Sequence, residues 1–180
     1  MRTRTIAVLG AISMLGLGGI VAYSQPGGQA PTEINHGQKA PDAPTDKTAF
    51  WSSDDIQARW KDNELRKATN SRLFNGPMNE SANVRIVIEG DGPLVHPKTA
   101  DLWIVQAGTA TAVTDGVAVG PIVPSGQPGD LRAKSITNPT ERKVHAGDIL
   151  YVPPGVPHYF KDINGFRAFL IRFDTIFDPK

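Results

Sequence analysis

The sequence predicts an all-β fold, an antiparallel barrel or sandwich, with a single amphipathic helix in front of it. Nine short strand-like stretches crowd residues 83–173 at close spacing, with no helical pattern between them. The chain also holds 18 glycines and 15 prolines, a turn-rich composition that suits short strands better than a helical bundle. Only one stretch, SSDDIQARWKDNELRK at 52–67, has helical spacing.

In chain order, MRTRT is a short basic start, followed by the uncharged apolar run IAVLGAISMLGLGGIVA. Ala22 and Ser24 then stand at the spacing a signal peptidase prefers, so residues 1–24 are expected to be an export signal cleaved after Ser24. The alternative is an uncleaved anchor, because the run is at the lower edge of a membrane span. Export places the chain in the periplasm or outside the cell. Residues 25–47 have four prolines, three glycines and almost no large apolar side chain, and are expected to be a flexible spacer. His36 within it reads as an exposed bystander.

A helical segment is assigned to 48–82. Ser52 or Ser53 can cap its helix, and Asp54 and Asp55 suit the positive end of the dipole. Ile56 and Trp60 are four apart, on one face able to pack on a larger body. The barrel is assigned to 83–175 and a tail to 176–180. Its strands are read as NVRIVIEG, DLWIVQAG, TATAV, GVAVG, KSIT, RKVHAG, DILYV, HYFK and FRAFLIRF, separated by turns. PSGQPGDLRA, 124–133, is a longer loop able to control access to a pocket.

Formal charge is +1, and removing Arg2 and Arg4 with the signal leaves 17 basic against 18 acidic side chains. Neither balance suits nucleic acid. The absence of cysteine excludes thiolate metal ligands, disulfides and a cysteine nucleophile. Neither a phosphate loop nor a nucleotide fingerprint is present.

The densest signal is GDILYVPPGVPHYF at 147–160. Gly147 can make the turn into ILYV, Pro153 can end that strand, and Gly155 permits a sharp reversal before His158. The prolines stiffen the turn, so the imidazole is positioned at low entropic cost. Gly147, Pro153, Gly155 and His158 reproduce the spacing of the second motif of the cupin family, and the stretch is identified as that motif. The resemblance runs over about half the chain and implies a double-stranded β-helix, or jelly-roll barrel. The family's first motif is matched in part by LVHPKTADLWIVQAG. Counting back from Gly108 places Asp101 at the glutamate position and His96 at the second histidine, while Leu94 stands where the first histidine would be. GDLRA, 129–133, resembles a further loop of small cupins.

By position, the resemblance implies that His96, Asp101 and His158 ligate a divalent metal, with Fe, Mn, Ni or Zn all compatible with such a donor set. If Asp101 faces inward, alternation brings Trp103 and Val105 inward as well. Trp103, Tyr151 and Arg132 are the candidate ligand-contacting residues, Arg132 because it could hold an anion at the mouth. Arg85 and Glu89 share a strand face and can pair with neighbours. His145 is expected to be exposed. Two functions follow: a metal-dependent cupin enzyme of oxygenase, isomerase or lyase type, and a metal-free ligand-binding or scaffold barrel. The expected partner is a small molecule, and the resemblance favours a homodimer.

Overall fold

The computed structural model describes residues 42–76, 80–88, 92–125 and 129–175, all within one compact unit, Glu33–Lys180. The expected signal, most of the spacer with His36, Glu89 and the 176–180 tail lie outside the described residues. The described elements are α1 (Ser53–Arg66), β1 (Asn70–Asn75), β2 (Ser81–Ile86), β3 (Leu94–Val95), β4 (Thr99–Thr114), β5 (Val117–Val119), β6 (Val123–Pro124), β7 (Leu131–Arg132), β8 (Ser135–Thr137), β9 (Thr140–His145), β10 (Ile149–Val152) and β11 (His158–Asp174). No described helix is long and apolar enough to cross a membrane.

Two long strands organise the barrel. β4 and β11 pair antiparallel from Thr99↔Asp174 to Thr114↔His158, so each serves both halves of the fold. Both bend midway. Gly108 has φ +70° and its Cα lies so close to the Gly165 backbone that a Cβ would collide with it, while Gly165 itself has φ +58°. Only glycine adopts such backbone at no steric cost. β9 and β10 pair along the free side of β4, β10 placing Val152 opposite Asp101. β2 joins the other side of β11 and β1 extends it, while β3, β7 and β6 continue from His158. A separate ribbon pairs β5 with β8. Every strand-to-strand pairing is antiparallel, as a jelly-roll requires.

Strand alternation then makes two cores. Trp103, Val105, Phe160, Phe166, Ala168 and Leu170 pack inside the barrel. On the outer face of β1, β2 and β11, Leu73, Val84 and Ile86 receive Ile56 and Trp60 from α1, with Phe169 and Ile171 alongside. Of the two serines, Ser52 caps the helix. Ser52 Oγ accepts from Asp55 N–H at 3.1 Å and Ser52 N–H donates to Asp55 Oδ2 at 3.0 Å, a reciprocal capping box. Fully buried Asn63 sews helix to sheet, donating to Val84 O at 3.2 Å and accepting from Ser71 Oγ at 2.7 Å.

The structure departs from the sequence reading in three respects. Residues 70–75, assigned to the helical segment, form β1, where Ser71 and Leu73 are buried on one side. DLWIVQAG and TATAV are one bent strand, as are HYFK and FRAFLIRF, because Gly108 and Gly165 bend the ladder without ending it. The two-residue strands β3, β6 and β7 are too short to show a period, and were not expected.

Candidate metal centre

The turns on either side of β10 bear out their spacing. Gly147, before it, and Gly155, between β10 and β11, have φ +94° and +80°, the left-handed region that excludes most side chains. It is the β10–β11 turn that positions the cluster. The turn begins beside Asp101, through the Val152 pairing. Midway, Gly155 N–H donates to His96 O at 2.8 Å, and the turn delivers His158 as the first residue of β11. One rigid loop therefore touches all three candidate ligands. His96, Asp101 and His158 are all buried, and one ligand atom from each lies within 4.8 Å of the others.

Each histidine has its proton placed by a partner. His158 Nδ1 is 3.0 Å from Val156 O, which can only accept, so Nδ1 carries the proton and Nε2 offers a lone pair. Among the described residues that buried Nε2 has no hydrogen-bond partner, and it stands 3.5 Å from Asp101 Oδ2. His96 Nδ1 donates to Asp130 Oδ1 at 2.6 Å, the carboxylate support usual for a metal-binding histidine. His96 Nε2 therefore also presents a lone pair, 3.5 Å from Asp101 Oδ2. Two lone pairs and a carboxylate oxygen thus converge, an arrangement that calls for a cation.

Arg172 supplies one. Its Nη2 donates to His96 Nε2 at 2.8 Å, its Nε is 2.9 Å from Asp101 Oδ1, and its Nη1 is 3.5 Å from Asp130 Oδ2. Burial alone would raise the pKa of Asp101, but the Arg172 guanidinium, its Nε 2.9 Å away, holds it well below the usual carboxylate range. Burial also opposes a charged His96 ring, but hydrogen bonding to Asp101 and Asp130 lifts its pKa above the ordinary value against the effect of Arg172. A second proton on His96 would point at a guanidinium N–H, so charging that ring requires Arg172 to withdraw.

The donor set fits a divalent ion: two neutral imidazoles, one ionised carboxylate, an orphaned Nε2 and a carboxylate behind His96. The fit requires Arg172 to give up His96 Nε2. Asp101, Trp103 and Val105 all face inward, as alternation predicts. Trp103 lines a pocket next to the cluster, with Leu94 and His158 also in its wall. Leu94 pairs with His158 across β3 and β11, so an apolar side chain stands beside the cluster where a third imidazole was sought.

Two expected ligand contacts do not reach the pocket. Tyr151 is 51% exposed and stacks on Phe173 at 6.5 Å on the outside, because the inward phase of β10 belongs to Val152. Arg132 is half-buried and donates to Gly92 O at 3.1 Å, tying the rim of the barrel without lining the pocket. His145 is exposed, as expected. The reading missed Arg172 and Asp130. Arg172 follows Phe166, Ala168 and Leu170 at every second residue, so alternation puts it inside, and Asp130 lies in the GDLRA loop, two residues before Arg132.

Strand pairing and buried cluster together define a cupin-type jelly-roll barrel carrying a His/Asp/His group. No family description and no curated protein matches the chain. Among solved structures, a Bacillus halodurans protein is similar over 77% of this chain and 89% of its own, at 12% identity and TM-score 0.47. A cupin 2 conserved barrel domain protein from Salinispora arenicola is similar over 59% of this chain and 75% of its own, at 20% identity and TM-score 0.34. A DMSP lyase from Ruegeria pomeroyi is similar over 58% of this chain, at 17% identity and TM-score 0.36, and this chain spans 43% of it. With TM-scores this low, the assignment of the barrel rests on its own pairing and turn.

Proposed function

We propose that the barrel is a divalent-metal cupin acting on a small molecule in its lumen, with His96, Asp101 and His158 as the ligands. The observation that carries this reading is the buried Nε2 of His158, oriented by Val156 O and left beside Asp101 with no hydrogen-bond partner among the described residues. A buried acceptor in that state is costly unless something outside the protein meets it. When bound, Fe, Mn, Ni or Zn would supply Lewis acidity able to polarise an oxygen group or activate water or dioxygen. The chain's own part is to hold Asp101 ionised, exclude water with Leu94, Trp103 and Phe160, and orient His96 through Asp130.

A second reading has its own support. Arg172 already neutralises Asp101 and occupies His96 Nε2, as a metal-free binding barrel would have it. Metal content of residues 25–180, made without a chelating tag, decides between them. Near-stoichiometric metal that is lost in His158→Ala and Asp101→Asn supports the first reading. Protein that stays empty after reconstitution leaves the second. Export to the periplasm or beyond, and a homodimer, belong to the same proposal, to be checked by fractionation and by light scattering.

A further inference from the structure

The three candidate ligands already stand at coordination spacing, with a fourth side chain among them. Asp101 Oδ2 is 3.5 Å from both His96 Nε2 and His158 Nε2, close to the edge of about 3.3–3.4 Å in a tetrahedral shell with bonds of about 2.0–2.1 Å. Among the described residues, Arg172 is what obstructs that set. Its Nη2 donates to His96 Nε2 at 2.8 Å and to Asp101 Oδ2 at 3.3 Å, and its Nε is 2.9 Å from Asp101 Oδ1. The hold is imperfect. Close as they are, Nε and Oδ1 have no hydrogen-bond partner among the described residues, so charge and not an aligned bond keeps them together. A guanidinium well fitted to a carboxylate aligns both of its bonds. The third nitrogen, Nη1, lies 3.5 Å from Asp130 Oδ2, and Asp130 Oδ1 takes the proton of His96 Nδ1. Asp130 thus touches both the histidine and the arginine that covers it. Arg172 also lines the pocket beside the cluster, with Gly92 and Tyr159, so one side of it borders open space.

We propose that Arg172 is an internal competitor for the metal site, a guanidinium that holds the donors until a divalent ion displaces it toward the pocket. This rests on the metal reading above and adds its regulation. His96 Nε2 has a single lone pair, so it cannot serve Arg172 and an ion together. Two cations crowded on one buried carboxylate also repel each other strongly, because little water screens them. The apparent affinity for an ion is therefore its intrinsic affinity scaled by the fraction of molecules in which Arg172 has already left. The coupling is reciprocal: a bound ion weakens the hold of Arg172 on the donors by the same factor. Asp130, already near Nη1, keeps the displaced charge partnered.

The test measures Zn(II) affinity, by competition with a chromogenic chelator, on stripped wild type, Arg172→Met, Arg172→Lys and the double variant Arg172→Met/His158→Ala. In parallel, the Arg172 Nε–H resonance, assigned by its loss in Arg172→Lys, is followed in ¹⁵N spectra as Zn(II) is added to wild type. Arg172→Met should bind Zn(II) at least about tenfold tighter than wild type, with Arg172→Lys between the two. The double variant should lose that gain, and the Nε–H signal should shift in step with bound Zn(II). Wild type that binds as tightly as Arg172→Met, or a resonance that stays put at saturation, would overturn the competitor while leaving the metal reading standing. Wild type that takes up no Zn(II), beside an Arg172→Met that does, upholds the competitor and refutes the metal reading for the natural chain. Uptake by neither overturns both. Should Arg172→Met leave Asp101 unpaired and fail to fold, Arg172→Lys and the wild-type resonance decide: a lysine variant no tighter than wild type, or an unmoved signal, overturns the proposal.

Discussion

Asp101 concentrates the electrostatics of the barrel: it is fully buried, ionised and 2.9 Å from Arg172 Nε. Asp101→Asn would strand the Arg172 charge, and removal of one partner from a buried pair costs about 3 kcal/mol or more. Urea denaturation at neutral pH should show that loss. The pH dependence has a definite sign. The folded pKa of Asp101 lies below its unfolded value, so its contribution is present above the unfolded pKa of about 4 and fades as pH falls below it. Wild type should therefore lose more stability than Asp101→Asn between pH 5 and pH 2, read as a steeper acid limb of denaturation midpoints. Asp130 acts at one remove, through His96 Nδ1. Asp130→Asn should leave the barrel folded and weaken metal affinity by about 10- to 100-fold, measured by competition with a chromogenic chelator.

Elements differ in how openly the sequence declared them. The helix was legible because its signals are local: Ser52 and Asp55 cap it, and Ile56 and Trp60 are one turn apart on the face that packs. Trp60→Ala should cost about 3–5 kcal/mol in urea denaturation, against about 1 kcal/mol for Ser52→Ala. The His158 turn was legible for the same reason, being specified by glycines and prolines within a dozen residues. β1 was not. Its residues NSRLFN gain their strand character from pairing with β2 and covering by Trp60, and neither is visible in six residues. Gly108 was read as a strand end and residues 162–165 as a turn between two strands, because a glycine that bends a ladder and one that ends it look alike until the partner strand is known. Substitutions at the two glycines should separate. Gly108→Ala must push its Cβ into the Gly165 backbone as well as strain φ, whereas a Cβ at Gly165 meets nothing. Gly165→Ala should cost about 1–2 kcal/mol and Gly108→Ala distinctly more, measured by thermal unfolding.

The described residues form a nine-stranded sheet and a two-stranded ribbon, with an amphipathic helix behind the large sheet and a charged lumen in front, both served by β2 and β11. The motif spacing located three of the residues that meet in that lumen. It could not locate Arg172, 71 residues beyond Asp101 in sequence, because only the β4–β11 register brings the two together. That register has a practical consequence. Many ion-binding pockets fall apart when stripped, since like-charged donors are left facing one another. Here the donors face a side chain that is always cationic, so a stripped barrel keeps its charge balance without help. Chelator should leave circular dichroism and the melting transition nearly where they were, since an incoming ion gains only the difference between its own hold on the donors and that of Arg172. Melting curves are therefore a blunt gauge of what this lumen contains, and occupancy has to be counted atom by atom.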